Sequence, residues 1–208
     1  VRTAGHVVLI DVSFGPPGKG VVRESLAAAG VAPGDVTNVL LTHAHPDHAG
    51  GLVDAQGRSA FPKATIRMSA NEWAFMQRES DTRAIAEAIR RQVSTFEPGR
   101  PILPGITPRA LYGHTPGHVM YEIASEGHAL LDIGDAAHSS IVSLAKPEWT
   151  IQWDSDKAAG VRQREAELER LATSHELIFA PHFPYPGVGR IERSGEGFRF
   201  RPELPGGP

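Results

Sequence analysis

Short apolar runs alternate with amphipathic stretches along most of the chain. The runs are rich in β-branched residues and are bounded by Gly, Pro and polar clusters, which is typical of buried strands. The predicted strands cover residues 6–12, 36–43, 64–69, 118–125, 128–135 and 177–182, and a hairpin covers 190–201. The predicted helices cover residues 21–30, 70–79, 81–96 and 157–175. Because helices and strands alternate, the pattern predicts a mixed α and β class.

Local signals indicate where some of these elements begin and end. Ser69 comes directly before an amphipathic stretch, and Glu72 follows three residues later, which predicts a capping box at the start of that helix. The helix over 81–96 is predicted to end before Pro98. The Pro-rich segment 100–108 is predicted to cross the surface without regular structure, and Phe14–Gly20 is predicted to be a Gly/Pro loop.

The size and charge of the chain describe an ordinary globular protein. With 208 residues, 40% of them hydrophobic, residues 1–208 are predicted to form a single domain. A net charge of −3 argues against nucleic acid or an anionic membrane as a partner. The apolar runs are far shorter than the roughly 20 residues that span a bilayer. No basic-then-apolar signal peptide is visible, and the sequence leaves cytoplasmic, periplasmic and secreted locations open.

The absence of cysteine narrows the chemistry that the chain can use. It excludes disulfides, thiolate nucleophiles and cysteine-type zinc sites. Any metal ion must therefore be held by His, Asp or Glu side chains.

One short segment, "LLTHAHPDHAGG" at 40–51, concentrates side chains that bind metals. His43, His45, Asp47 and His48 cannot share one face of a strand, so a tight loop is predicted. Crowded imidazoles and carboxylates are costly without a cation, and both are normal zinc ligands. The segment therefore predicts a metal site.

Three more candidate ligands stand where predicted strands meet loops, which is where function usually lies. They are His118 in "GHTPGH", Asp135 in "DIGDAAH" and His182 in "APHFPYPG". With the first cluster they supply five histidines and two aspartates, enough for two metals that share a carboxylate.

Several neighbouring residues have competing interpretations. Asp132 competes with Asp135, but its apolar neighbours favour a strand interior. His114 is interpreted as a residue that stabilises its loop, while His138 is equally compatible with a pocket and with a structural role. Asp11 either orients a ligand histidine or caps its loop.

The ordered set of motifs resembles the metallo-β-lactamase superfamily from about His6 to Arg201. The set consists of H-x-H-x-D-H, the His of "TPGH", the Asp of "GD" and a His after an apolar strand. The C-terminal half, with "HFPYPGVG" after its last predicted apolar strand, is similar to the methyl parathion hydrolase and lactonase-like branch.

That resemblance implies an α+β fold, an αββα four-layer sandwich with metals at one edge. It implies two divalent metal ions. Zinc is the first expectation, and Mn, Co or Fe suit the same donors. A bridging hydroxide would complete the site. The resemblance assigns His43, His45 and His118 to one metal, Asp47, His48 and His182 to the other, and Asp135 to both.

The implied function is a binuclear metal-dependent hydrolase that cleaves lactones, aryl esters or phosphotriesters. Asp135 and Asp47 are the predicted catalytic carboxylates, with Asp47 passing a proton to the leaving group. No side-chain nucleophile is required, which agrees with the missing G-x-S-x-G motif.

Near-neutral charge and a supply of aromatic residues favour a small, uncharged, ester-like substrate. Phe183, Trp73 and His138 are the candidate substrate-binding residues, and a homodimer is expected because dimers are common in the resembled branch. Other aromatic residues that are candidates for a pocket wall are Phe75, Trp149, Trp153 and Tyr185.

Other functions on the same scaffold stay open. They are a β-lactamase, a glyoxalase-type thioesterase, a di-iron electron-transfer module and a metal-stabilised binding protein. The chain also departs from the family near its start, where Asp11-Val12-Ser13 stands for the usual D-x-G. We expect a compact variant that lacks N-terminal strands, or a numbering that joins separate pieces.

Overall fold

The chain divides into two compact units, Val1–Glu97 and Pro98–Pro208. The structure is a computed structural model and describes residues 1–16 and 20–203, so the predicted loop Phe14–Gly20 lies partly outside the described residues. Each unit has one mixed sheet and its own apolar core. The single domain inferred from the sequence stays a prediction.

The first unit is built on a five-stranded sheet in the order β1-β2-β3-β4-β5. Its strands are β1 (Arg2–Thr3), β2 (His6–Ile10), β3 (Asn38–Leu40), β4 (Thr65–Ser69) and β5 (Val93–Phe96), and its helices are α1 (Val22–Ala28), α2 (Pro46–Ala49), α3 (Ala70–Met76) and α4 (Arg83–Ile89). Strands β2 to β5 run parallel. Their carboxyl ends therefore meet at one edge, where open α/β sheets usually bind ligands.

The predicted helix over 81–96 is wrong in its second half. Helix α4 ends at Ile89, and Val93–Phe96 form the edge strand β5, paired in parallel with β4. The segment "VSTF" contains β-branched and aromatic residues that favour a pleated, half-buried surface. Tertiary pairing with β4 therefore outweighs the helical periodicity of the residues before it.

The second unit contains a six-stranded sheet in the order β11-β10-β9-β8-β7-β6. Its strands are β6 (Ile106–Ala110), β7 (Val119–Ser125), β8 (His128–Asp132), β9 (Ile178–Phe179), β10 (Val188–Ser194) and β11 (Gly197–Pro202), and its helices are α5 (Val142–Ala145) and α6 (Lys157–Ser174). Strand β8 is parallel to β9 and antiparallel to β7, which is antiparallel to β6. The carboxyl ends of β6, β8 and β9 therefore lie at the same edge.

Two local predictions in these units have different outcomes. The Ser69 half of the predicted capping box is confirmed, since its Oγ accepts a hydrogen bond from the backbone N–H of Glu72 at 3.2 Å. The reciprocal contact of the Glu72 side chain stays a prediction. The predicted surface crossing over 100–108 is wrong at its end, where β6 begins at Ile106. Pro108 lies within β6, which is an edge strand, and an edge tolerates a residue that cannot donate a backbone hydrogen bond.

Candidate metal centre

The predicted ligand loop of the first unit follows the carboxyl end of β3. His45 caps helix α2, and its carbonyl accepts hydrogen bonds from the backbone N–H groups of His48 and Ala49 at 3.0 and 2.9 Å. The resulting turn brings the ring of His43 to 4.7 Å from that of His45 and to 4.1 Å from that of His48, between centroids. The loop therefore gathers its three imidazoles, as the sequence predicts.

Asp11, after the adjacent strand β2, fixes the orientation of this loop. Its carboxylate accepts hydrogen bonds from the Thr42 backbone N–H at 2.8 Å and from the Thr42 hydroxyl at 2.7 Å. The same carboxylate lies 2.7 Å from Nδ1 of His48. With Nδ1 bound in this way, Nε2 is the nitrogen of His48 that would bind a cation. Both roles that the sequence left open for Asp11 are therefore combined.

The two glycines that end the loop are required by a close approach of the backbone. A Cβ atom at Gly51 would lie 2.1 Å from the Val12 carbonyl oxygen, and one at Gly50 would lie 2.5 Å from the backbone nitrogen of Gly15. The chain after Asp11 therefore packs directly against the loop, which keeps the Asp11 carboxylate within reach of His48.

Glu72 is a supporting residue whose sequence context predicts only a role in a helix cap. It lies in the first turn of α3, at the carboxyl end of β4, and its side chain is fully buried. Its Oε1 accepts a hydrogen bond from the backbone N–H of Ala44 at 2.7 Å. Ala44 stands between His43 and His45, so this carboxylate holds the backbone that carries both candidate ligands.

We expect Glu72→Ala to lower the free energy of unfolding by about 1–3 kcal/mol, because the buried Ala44 N–H loses its acceptor. Metal affinity is expected to fall by about 10- to 100-fold, as for other groups that support ligands. Urea unfolding of the metal-free protein and a metal titration measure the two effects. Glu72→Gln keeps an acceptor oxygen and should recover most of the affinity.

Glu87→Ala is the matched control for this substitution. Glu87 is an exposed glutamate on helix α4 whose ion pair with Arg90 is also exposed, and such pairs contribute little to stability. A Glu72→Ala protein that binds metal as tightly as the Glu87→Ala protein would contradict the assignment.

In the second unit, three imidazoles surround the carboxylate of Asp135, which is only 3% exposed. Its Oδ1 lies 3.2 Å from Nε2 of His182. Its Oδ2 lies 3.2 Å from Nε2 of His114 and 3.0 Å from Nε2 of His138. The two oxygens of one buried carboxylate thus face different histidines. Asp132 instead accepts from the Gly134 backbone N–H at 3.0 Å and shapes the turn.

The loop between β6 and β7 contains two histidines four residues apart, and the structure distinguishes them. Nε2 of His118, the predicted ligand, accepts a hydrogen bond from the backbone N–H of Asp135 at 3.0 Å. His114, interpreted from the sequence as structural, is the one whose Nε2 faces the Asp135 carboxylate. The ligand role of His118 stays a prediction, and the geometry of this unit favours His114 in its place.

The ionisation of the His114 imidazole is perturbed by two neighbouring carboxylates. Burial alone would lower its pKa, but hydrogen bonds and ion pairs with Asp135 and Asp154 outweigh burial and raise the pKa. Asp154 Oδ1 lies 2.9 Å from Nδ1 of His114, so the ring is held from both sides. A cation that binds Nε2 must displace a proton that these carboxylates stabilise.

The predicted substrate-binding residues occupy different surroundings. Phe183 is buried in the core of the second unit, with its ring edge-on to Phe200 at 5.0 Å between centroids. Trp73 is half-buried and packs against the core of the first unit. The ring of His138 lies between those of Trp153 and His182. Substrate contact by Phe183, Trp73 and His138 stays a prediction.

The chemistry of these side chains fits divalent cations. Those able to take part in holding an ion are His43, His45, Asp47 and His48 in the first unit and His114, Asp135 and His182 in the second. Two atoms bonded to one ion at about 2.0–2.2 Å lie roughly 3–3.5 Å apart. The 3.2 Å separations of Asp135 from His114 and His182 agree with that spacing.

The chain matches a known protein-family model over most of its length. The model of the metallo-beta-lactamase superfamily matches residues 1–182. Among curated proteins, metallo-beta-lactamase domain-containing protein 1 of Mus musculus is 44% identical over 62 residues, which is 30% of this chain and 21% of that protein. The uncharacterized protein C03F11.2 of Caenorhabditis elegans is 23% identical over 93% of this chain and 47% of its own length. The chain thus spans less than half the length of these relatives.

Solved structures resemble the chain over almost its whole length. AidC, described as a dizinc quorum-quenching lactonase in complex with a product N-hexanoyl-L-homoserine, is 27% identical with a TM-score of 0.93, covering 99% of this chain and 78% of its own. AbOPH, described as a hydrolase in the beta lactamase superfamily, is 29% identical with a TM-score of 0.88, covering 98% of this chain and 78% of its own. These matches confirm the predicted α+β, metallo-β-lactamase-like fold. Within the described ranges, none of the helices has the length and apolar character to cross a membrane.

Proposed function

Because the chain belongs to the metallo-β-lactamase superfamily, we propose that it is a binuclear metal-dependent hydrolase of small, uncharged esters. Lactones, aryl esters and phosphotriesters are the proposed substrate classes. The observation that carries the proposal is the Asp135 carboxylate, whose two oxygens face different histidines at 3.2 Å. A carboxylate whose two oxygens face different imidazoles is suited to bind two cations at once.

We assign the protein ligands to two cations. His43, His45 and His114 would hold one, and Asp47, His48 and His182 would hold the other, with Asp135 shared. His118 would instead support the backbone of Asp135. Imidazole and carboxylate donors fit zinc, which is the first metal proposed, and the same set suits Mn, Co or Fe.

When bound, a pair of divalent cations makes water acidic enough to supply hydroxide at neutral pH and polarises the substrate oxygen. The protein's own side chains do the positioning. Asp11 holds His48 through Nδ1, and Asp154 does the same for His114, so both rings present Nε2. Asp47 is about a quarter exposed, at 28%, which suits a carboxylate that passes a proton to the leaving group.

The choice of ester-like substrates rests on the C-terminal half of the chain. The stretch "HFPYPGVG" resembles the methyl parathion hydrolase and lactonase-like branch, and AidC is described with a lactone-derived product. These similarities support lactones and aryl esters ahead of β-lactams or thioesters. The proposed homodimer rests on the same branch resemblance.

A substrate panel on protein of known metal content tests the proposal. We expect hydrolysis of a lactone, an aryl ester or a phosphotriester with about two metal ions per chain. Complete chelation should abolish the activity, and added Zn²⁺ or Mn²⁺ should restore it, because the chain supplies no cysteine and needs no side-chain nucleophile.

The same panel separates the alternatives. Activity that survives complete removal of metal would overturn the mechanism. Preference for a thioester or a β-lactam would reassign the substrate class, and a coloured, iron-loaded protein without hydrolysis would support an electron-transfer module.

A further inference from the structure

Three aromatic rings form a row in the second unit, and the row ends at a proposed metal ligand. The indole of Trp153 stacks on the imidazole of His138, with centroids 6.1 Å apart and an interplanar angle of 22°. The ring of His138 stacks in turn on that of His182, at 5.2 Å and 16°. Nε2 of His182 lies 3.2 Å from the Asp135 carboxylate. One imidazole, that of His138, therefore separates the indole from His182, the side chain proposed to bind a cation.

Trp153 keeps most of its surface in water although it is a large apolar residue. It is 61% exposed, while the residue after it, Asp154, is buried. Burial of such a side chain against a ligand is favourable because apolar surface leaves water and aromatic faces stack. An exposed indole beside the proposed centre is thus available to bind part of a substrate.

The backbone around Trp153 is held firmly by the loop that carries His114. The N–H of Ser155 donates to the carbonyl of His114 at 2.9 Å, and the N–H of Asp156 donates to that of Gly113 at 3.0 Å. Asp154 is bound to the His114 ring through its side chain. The indole is therefore presented from an ordered backbone, which lowers the entropy lost when a ligand binds.

We infer that Trp153 is a specificity-determining residue that stacks against the aryl group of an uncharged aryl ester. The row of rings offers flat faces at a shallow angle to one another, which suits a planar aromatic group better than an alkyl chain. His138 sets the spacing between this platform and His182. The inference rests on the proposed hydrolase function, since it assigns the substrate class of the same site.

The test compares an aryl ester with a simple γ-lactone that has no aromatic group. For Trp153→Ala we expect kcat/KM on the aryl ester to fall about tenfold, mainly through a higher KM. Activity on the γ-lactone should change less than twofold, with metal content unchanged. Trp153→Phe keeps a flat ring and should recover most of the loss.

Ile141→Ala is the control, because Ile141 is an apolar residue of the second unit that is 75% exposed and is not part of the row. It should leave both substrates unaffected. Equal loss on both substrates, or no loss on the aryl ester while metal-dependent hydrolysis persists, would overturn the inference alone. A wild-type protein without any metal-dependent hydrolysis would instead overturn the proposed function.

Discussion

Replacing Asp135 by Ala is expected to lower kcat/KM by about 10³-fold or more and to reduce the bound metal below two ions per chain. The loss should be large because one carboxylate serves both proposed cations, and removing a single preorganised group from an active site already costs 10²- to 10³-fold. Without the carboxylate, the imidazoles of His114, His138 and His182 would also lose the anion that each of them faces. Steady-state kinetics and elemental analysis measure the two effects.

Asp81→Ala is the control for Asp135→Ala, because Asp81 is an exposed aspartate of the first unit. It should keep activity within twofold and bind metal normally. Asp135→Asn keeps the size of the side chain but loses its charge, so it should lose metal almost as fully as the alanine variant. An Asp135→Ala protein with both metals and normal activity would contradict the shared-ligand assignment.

Replacing Arg164 by Leu is expected to lower the free energy of unfolding by about 3–5 kcal/mol, the usual cost of breaking a buried ion pair. Arg164 is 3% exposed. Its Nε donates to the Pro147 carbonyl at 3.0 Å, a second nitrogen donates to the Trp149 carbonyl, and a third lies 3.6 Å from Asp154 Oδ2. Burial lowers the pKa of Arg164, and the nearby Asp154 carboxylate opposes that shift.

The expected loss comes from what the substitution leaves behind. Asp154 would keep a buried charge without the Arg164 guanidinium, and two carbonyls would lose their donor. Urea unfolding of the metal-free protein measures the effect, and Arg90→Leu, at an exposed position of α4, should cost little. The double variant with Asp154→Asn should lose less than the sum of the single variants. A loss below about 1 kcal/mol for Arg164→Leu would contradict the role of this cation.

The fold could be predicted where local pattern and tertiary pairing agree. The strands that lead to the candidate ligands, the Ser69 cap and the C-terminal hairpin follow directly from apolar runs and capping residues. Strand β5 could not be predicted, because its pairing with β4 depends on residues far away in the sequence. The start of β6 could not be predicted either, because Pro108 is tolerated in a strand only at the edge of a sheet, and the sequence does not show that β6 lies at an edge.

The sequence by itself determined the chemistry of the candidate site. Without cysteine the donors had to be histidine and carboxylate, and the spacing of His43, His45 and His48 required a loop in which the rings converge. The choice of Asp135 over Asp132 also followed from the apolar neighbours of Asp132, and the hydrogen bonds of the turn agree with it.

Only the tertiary structure decided which way the side chains near the candidate ligands point. The sequence favoured His118 as the ligand and His114 as a residue that stabilises its loop. In the structure, Asp154 holds Nδ1 of His114, whose Nε2 faces Asp135, while the backbone N–H of Asp135 donates to Nε2 of His118. Glu72 holds the backbone of Ala44 in the first unit, and Arg164 lies beside Asp154 in the second, each from a helix distant in sequence from its partner. These side-chain orientations are set by hydrogen bonds between residues far apart in the chain, so they cannot be predicted from local sequence patterns.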